Sequence, residues 1–173
     1  MQNIERCDKM SKRVDKINYY LDIAETVSER STCLRKHYGC IIVKNDEIIS
    51  TGYSGAPRGR ENCIDLGKCT KKEIYPDIRH GGYDACRSVH AEQNAIISAA
   101  RKDMIGSAMY LVGKRTDNSK YEEGAMSCQT CRKLIINAGI EKVFVRNSKN
   151  EYIRVDVNDW IDNDEILKGI ITY

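Results

Sequence analysis

The chain has 173 residues, 41% hydrophobic and 31% charged, enough for one domain with a buried core. Its 28 Lys and Arg against 25 Asp and Glu leave a net charge of +3, short of the basic stripe expected of a protein that grips nucleic acid through many phosphates. No run of 18 apolar residues occurs and residues 1–30 lack an apolar signal-peptide core, so neither a membrane span nor export is expected.

Residues 1–16 read as a polar N-terminal arm, and 17–173 as a single domain. Ile17, Tyr20, Leu21, Ala24 and Val27 recur at helical spacing and predict a helix over 17–31. Cys40 to Val43, then Asn45-Asp46, then Ile48 to Thr51 predict a β-hairpin. Residues 52–88 carry six glycines, both prolines and three cysteines without sustained periodicity, a length of loop that needs something to tie it down. The composition turns helical over 90–102. Met109 to Val112 predicts a strand, and 128–138 a helix stopped by Gly139. Val143 to Val145 and 152–157 read as strands, and 157–168 as a terminal helix. The order αββαβαβ(β)α predicts an α/β fold: three α/β/α layers around a mixed central β-sheet.

Eight cysteines in a chain without an export signal read as thiols and metal ligands, which suits a cytoplasmic location. Cys40 falls in an apolar strand and reads as a buried, inert thiol; Cys7 reads as a tail residue. The lysine runs Lys71-Lys72 and 142–149 are short and read as solvated faces.

The pair of motifs most charged with chemistry is His90-Ala91-Glu92 and, 36 residues after Glu92, Cys128-Gln129-Thr130-Cys131. One imidazole and two thiolates at i, i+3 suffice to hold a catalytic zinc with its fourth position open. Both motifs fall where loops enter helices, and the positive helix end favours thiolate. A zinc so held keeps a water whose pKa falls toward about 7, so hydroxide exists at neutral pH. Glu92 is placed to take the water proton, pass it to a ring nitrogen and later protonate leaving ammonia, as in zinc-dependent base deaminases. The bland alternative is a closed four-ligand zinc with Glu92 a surface residue.

With those residues stand Arg30-Ser31-Thr32-Cys33, Gly52-Tyr53-Ser54-Gly55-Ala56-Pro57-Arg58-Gly59, Cys86-Arg87-Ser88-Val89 leading into His90, and Ile135-Ile136-Asn137-Ala138-Gly139-Ile140. Over residues 17–146 the chain resembles the deoxycytidylate (dCMP) deaminases of the zinc-dependent cytidine deaminase superfamily. The resemblance implies a cytidine deaminase-like fold and hydrolysis of dCMP to dUMP, the precursor of thymidylate. It also implies a homo-oligomer, often a hexamer, activated by dCTP with Mg2+ and inhibited by dTTP.

Carried over by position, His90, Cys128 and Cys131 resemble the zinc ligands and Glu92 the proton shuttle. The backbone at Ala91 would hold the pyrimidine edge. The loop with Ser54, Ala56 and Arg58 would contact sugar and phosphate, with Arg60 a weaker phosphate partner, and Arg101 resembles a position near subunit contacts. Some relatives bind a structural zinc near the long segment, which implies a second site among Cys33, Cys63, Cys69 and Cys86, with His80 able to replace one of them. Two departures stand out: Ser127 where the family usually has Pro, and Ser54 where it often has Asn. Rival readings are a deaminase of dCTP or of a base in tRNA or single-stranded DNA, and a non-catalytic zinc-stapled interaction module.

Overall fold

Alternate residues of the central strands feed two apolar layers, and this alternation organises the molecule. The structure is a computed structural model and describes residues 3–6, 13–77, 82–122 and 124–169. Strands β1 (Asn3–Arg6), β2 (Lys36–Lys44), β3 (Glu47–Tyr53), β4 (Ala108–Arg115), β5 (Lys142–Ser148) and β6 (Glu151–Asp156) form one sheet in the order β1-β6-β5-β4-β2-β3. The β4–β5 pair is parallel and the other pairs are antiparallel, so the sheet is mixed, as expected.

Ile41, Val43, Tyr110, Val112 and Phe144 face helix α1 (Lys16–Ser28), where Leu21 and Ala24 are fully buried. Their neighbours Cys40, Ile42, Met109, Leu111, Val143 and Val145 face the opposite layer. That layer holds Ala91 and Ala95 of α4 (Ala91–Ile97) and Ile135 of α6 (Gln129–Ala138). Short helices α2 (Cys63–Leu66), α3 (Thr70–Ile74), α5 (Arg101–Met104) and α7 (Val157–Asp162) and a 3-10 turn (Tyr83–Ala85) complete the helices among the described residues. Burial of each large aliphatic side chain contributes on the order of 1.5–3 kcal/mol. The chain thus has the α/β fold that its element order predicts.

Two glycines let helices sit directly on strands. A Cβ on Gly39 would lie 2.1 Å from the Ala24 carbonyl oxygen, and one on Gly52 would lie 2.3 Å from both the Ala91 carbonyl oxygen and the Ala95 nitrogen. The second contact seats α4, which follows His90 and carries Glu92, against β3. Asn94 reinforces it by donating to the Tyr53 carbonyl at 2.7 Å.

Several boundaries differ from expectation. Helix α1 starts at Lys16 because the Asp15 carboxylate accepts from the Ile17 and Asn18 amides, and it stops at Ser28 rather than 31. The hairpin turn is Asn45-Asp46, both at positive φ, as a tight primed turn requires. The expected helix over 90–102 is two helices, with Ser98 bonding back to the Asn94 carbonyl at the break. The terminal helix ends at Asp162 instead of 168, because the Asp164 carboxylate accepts from the Ile166 and Leu167 amides and makes a turn. Within the expected N-terminal arm, Asn3–Arg6 adds an edge strand to β6; Cys7 lies outside the described residues.

Candidate functional site

Helices α4 and α6 begin side by side on the same layer, and the residues at their N-terminal ends converge. His90 is the N-cap residue of α4, Cys128 is the N-cap residue of α6, and Cys131 lies in the first turn of α6. His90 Nδ1 lies 3.5 Å from Cys128 Sγ and 3.4 Å from Cys131 Sγ. All three donor atoms fall within 4.8 Å of one another, the sole such group of His, Cys, Asp or Glu donors among the described residues. The Gln93 side chain accepts from the His90 amide at 3.0 Å and fixes the entry of the chain into α4. Val89, one residue upstream, exchanges two backbone hydrogen bonds with Gly55, which pins the approach to His90 from the other side.

The electrostatics fit a metal-binding triad. Hydrogen bonding to Cys131 and then to His90 holds the Cys128 thiol down at about 4, against burial. Cys131 is pushed up by its bond to Cys128 and by burial, so the pair shares one negative charge until a cation arrives. The His90 imidazole is raised by Cys128 and Glu92 although burial opposes it. One imidazole and two thiols at this spacing are the donor set and the count of a catalytic zinc.

Glu92 is 4% exposed and forms no ion pair with Lys or Arg among the described residues. Burial, the largest influence, raises its carboxyl above the ordinary range; the His90 charge pulls it back. Glu92, Ala91, His90 and Cys128 line a cavity of about 220 Å3, to which Tyr38 of β2 and Ser54, just after β3, also contribute. The Ser54 hydroxyl is already engaged: it lies 2.7 Å from Ser31 Oγ and accepts from the Tyr38 amide at 3.1 Å.

The other residues singled out in the sequence fall in three places. Ala56 is half-buried and Arg58 and Arg60 are exposed, and none of them lines the cavity. Arg101, also exposed, donates to the Asn137 carbonyl at 2.8 Å and ties α5 to α6. Cys33, Cys69 and Cys86 also line the cavity, and Cys63 is buried with its thiol raised by burial and by the charges of those three. Their sulfurs do not reach the spacing of the His90 group. His80 lies outside the described residues, and Cys40 is fully buried with its thiol raised well above the ordinary value by burial.

The solvated-face expectation is overturned in both runs: Arg146, within 142–149, is fully buried and paired with Asp22 at 2.8 Å. Lys71 does not join Lys72 on a solvated face: it is 5% exposed and lines the cavity with Arg35 and Lys36. Tyr83, Ser88 and Glu122 share that wall. No periodicity marks these residues, because they come from a short helix, a 3-10 turn and the approaches to strands, each too brief to carry a pattern. The nearest signal is Arg35, two positions after Cys33.

A family model of the cytidine and deoxycytidylate deaminase zinc-binding region matches residues 14–147. The chain is 32% identical over 133 residues to the deoxycytidylate deaminase of Mycobacterium phage D29, covering 76% of this chain and 94% of that protein. To the deoxycytidylate deaminase of Schizosaccharomyces pombe it is 29% identical over 140 residues, which is 77% of this chain but 37% of the yeast protein. The chain therefore spans little more than a third of that relative. Among solved structures, the dCMP deaminase of cyanophage S-TIM5 in complex with dCMP and dUMP aligns at a TM-score of 0.53 and 27% identity, covering 79% of this chain and 85% of that one. The fold, the converging His90, Cys128 and Cys131, and these likenesses agree: the chain belongs to the cytidine and deoxycytidylate deaminase zinc-binding family.

Proposed function

We propose that this protein hydrolyses dCMP to dUMP, with zinc held by His90, Cys128 and Cys131 and the proton moved by Glu92. The observation that carries this reading is the buried Glu92 carboxyl, without a Lys or Arg ion pair among the described residues, lining the same cavity as His90 and Cys128 of the three-donor cluster. Zinc bound there would supply a water whose pKa falls toward about 7. Glu92 accepts a proton from water, and burial keeps it ready to hold that proton. It then donates that proton to N3 of the cytosine ring, takes a second from the hydroxyl added at the amino-bearing carbon, and passes it to the departing ammonia. Ala91, fully buried at the start of α4, presents its backbone to the pyrimidine edge. The D29 and S-TIM5 likenesses support the choice of a pyrimidine deoxynucleotide.

The finer features of the reading extend from the same family. Residues 17–173 act as a single zinc-dependent deaminase domain, in the cytoplasm, in support of thymidylate supply. Copies assemble into a homo-oligomer, up to a hexamer, that dCTP with Mg2+ activates and dTTP inhibits. A second, structural zinc on Cys33, Cys63, Cys69 and Cys86 closes the 52–88 segment; the mutual influence of these four thiols supports it. No described helix is long and apolar enough to cross a membrane.

The test is ultraviolet-monitored deamination by the zinc-loaded protein, with dCMP, dCTP, tRNA and single-stranded DNA as separate substrates. Turnover of dCMP, raised by dCTP that is itself untouched, is the expected result. Inert dCMP beside bound zinc would overturn the reading in favour of dCTP or a base in nucleic acid, and no turnover of any substrate would leave a zinc-binding interaction module.

A further inference from the structure

The segment that follows α7 folds back onto the start of α6, the helix entered through Cys128 and carrying Cys131. The Asp164 carboxylate accepts from the Ile166 and Leu167 amides, and the turn so made presents Glu165. Oε2 of Glu165 accepts from Gln129 Nε2 at 3.0 Å and from the Arg132 guanidinium at 2.8 Å. Gln129 lies between the two cysteines and Arg132 follows the second, so one carboxylate oxygen grips the chain on both sides of Cys131.

Arg132 is the centre of this contact. Its Nε donates to the Ser127 carbonyl at 3.0 Å, and its guanidinium carbon lies 5.1 Å over the Trp160 ring of α7. Its own amide donates to the Cys128 carbonyl at 2.9 Å. The side chain is 13% exposed, shielded enough for its charge-assisted bonds to hold. Ser127 lacks the ring that fixes a proline's φ, so the chain entering Cys128 depends on such a partner. The bonds end on residues 127, 129 and 132, which bracket both cysteines. An isolated surface ion pair would be worth about 0–1 kcal/mol and would do nothing more. This one fixes the turn that presents two metal donors, and donors placed in advance bind a cation more tightly.

We propose that Arg132 is a positioning residue for the metal site and that the C-terminal turn, through Glu165, is its clasp: closed, it holds Cys128 and Cys131 where a metal takes them. The proposal rests on the reading of His90, Cys128 and Cys131 as the metal donors and deepens it. Coupling of this kind is reciprocal, so metal on the three donors also tightens the clasp. Trp160, the sole tryptophan of the chain, stands against Arg132 and reports the clasp by its fluorescence.

The experiment titrates the zinc-loaded full chain with a competing chelator and records Trp160 emission on the same samples. Cys128→Ala identifies the zinc held by the three donors. Arg132→Gln and Glu165→Gln should each weaken that zinc about tenfold, as loss of an outer partner of a ligand implies. The double variant should be little weaker than either single one, because the two residues act as a unit. Removing zinc should shift Trp160 emission in the wild type, and the shift should shrink in Glu165→Gln. Glu25→Gln, on the opposite face of the sheet, controls for stability alone and should leave zinc affinity and the emission shift unchanged.

Wild-type zinc affinity in both Arg132→Gln and Glu165→Gln would overturn the proposal, and so would an emission shift that Glu165→Gln leaves at full size. Should Arg132→Gln not fold, Glu165→Gln, altered at a side chain 36% exposed, decides alone. Zinc bound through Cys128 with affinity unchanged in the variants would remove the clasp and leave the metal site standing. A wild type that holds no more zinc than Cys128→Ala would remove the metal site and the clasp together.

Discussion

His90 Nδ1 and Cys128 Sγ lie 3.5 Å apart although 38 positions separate them in the chain. Each is the last residue before a helix, so two helix entries, rather than one loop, hold the proposed metal. At the first of these entries the Gln93 side chain accepts from the His90 amide and fixes the chain as it turns into α4.

That construction separates metal binding from proton transfer. Glu92→Gln preserves side-chain shape and touches none of the three donors. It should retain zinc and lose about a hundredfold to ten-thousandfold in kcat for dCMP. Zinc analysis beside initial rates checks this, and full activity in the variant would overturn the role of Glu92.

Cys128→Ala removes one donor of the triad. The variant should bind one zinc fewer than the wild type and melt at a lower temperature. Chelation of the wild type should lower its melting temperature in the same direction, with recovery on adding zinc, since a ligand of the folded state stabilises it by mass action. Thermal melts with and without chelator, read against metal content, make the measurement.

Gly52→Ala tests the seating of α4. The new Cβ would meet the Ala91 carbonyl oxygen and the Ala95 nitrogen at 2.3 Å, and backbone cannot swing aside as a side chain can. Overpacking of this kind costs about 1–3 kcal/mol. Because the same shift displaces His90 and Glu92, activity should fall even at temperatures where the variant is fully folded. Denaturant titration and kcat on one preparation distinguish the two effects.

The acid side of the stability profile should carry the signature of Glu25. Burial by itself would raise this carboxyl, but hydrogen bonds from Lys114 and Tyr121, each 2.8 Å long, outweigh it and hold the carboxyl below its ordinary 4.5. A carboxyl lowered in the folded state stabilises that state above the unfolded pKa, and the stabilisation is lost as pH falls through the folded value. Glu25→Gln should therefore be less stable than the wild type at pH 7, and the gap should shrink steadily below about pH 4.5. Denaturation midpoints from pH 7 down to pH 3 provide the check; a gap independent of pH would show that the ion pair with Lys114 is not its source.

Much of the architecture was legible locally. The helical spacing of Tyr20, Leu21 and Ala24 marked α1, Asn45-Asp46 marked the hairpin turn, and Gly139 at φ 80° ends α6 where the pattern stops. These signals are legible because each depends on neighbours within four or five positions. The extent of α4 was not: alanines favour a helix through 102, whereas the structure breaks it at Ser98, whose hydroxyl bonds the Asn94 carbonyl.

The site divides in the same way. The sequence by itself determined the kinds and spacing of the donors, His90, Cys128 and Cys131, with Glu92 two residues after His90, because ligand chemistry and helix-entry position are properties of short motifs. Only the tertiary structure decided which cations share their cavity. Lys71 and Lys72 are chemically alike and adjacent, yet one is buried against Tyr83 and the other is exposed. Arg58, in the loop expected to contact sugar and phosphate, is exposed and does not line the cavity that Arg35 lines. The difference arises because a cavity wall is assembled from segments far apart in the chain, and burial, which sets the cost and the reach of a charge, is a property of that assembly rather than of any one of its segments.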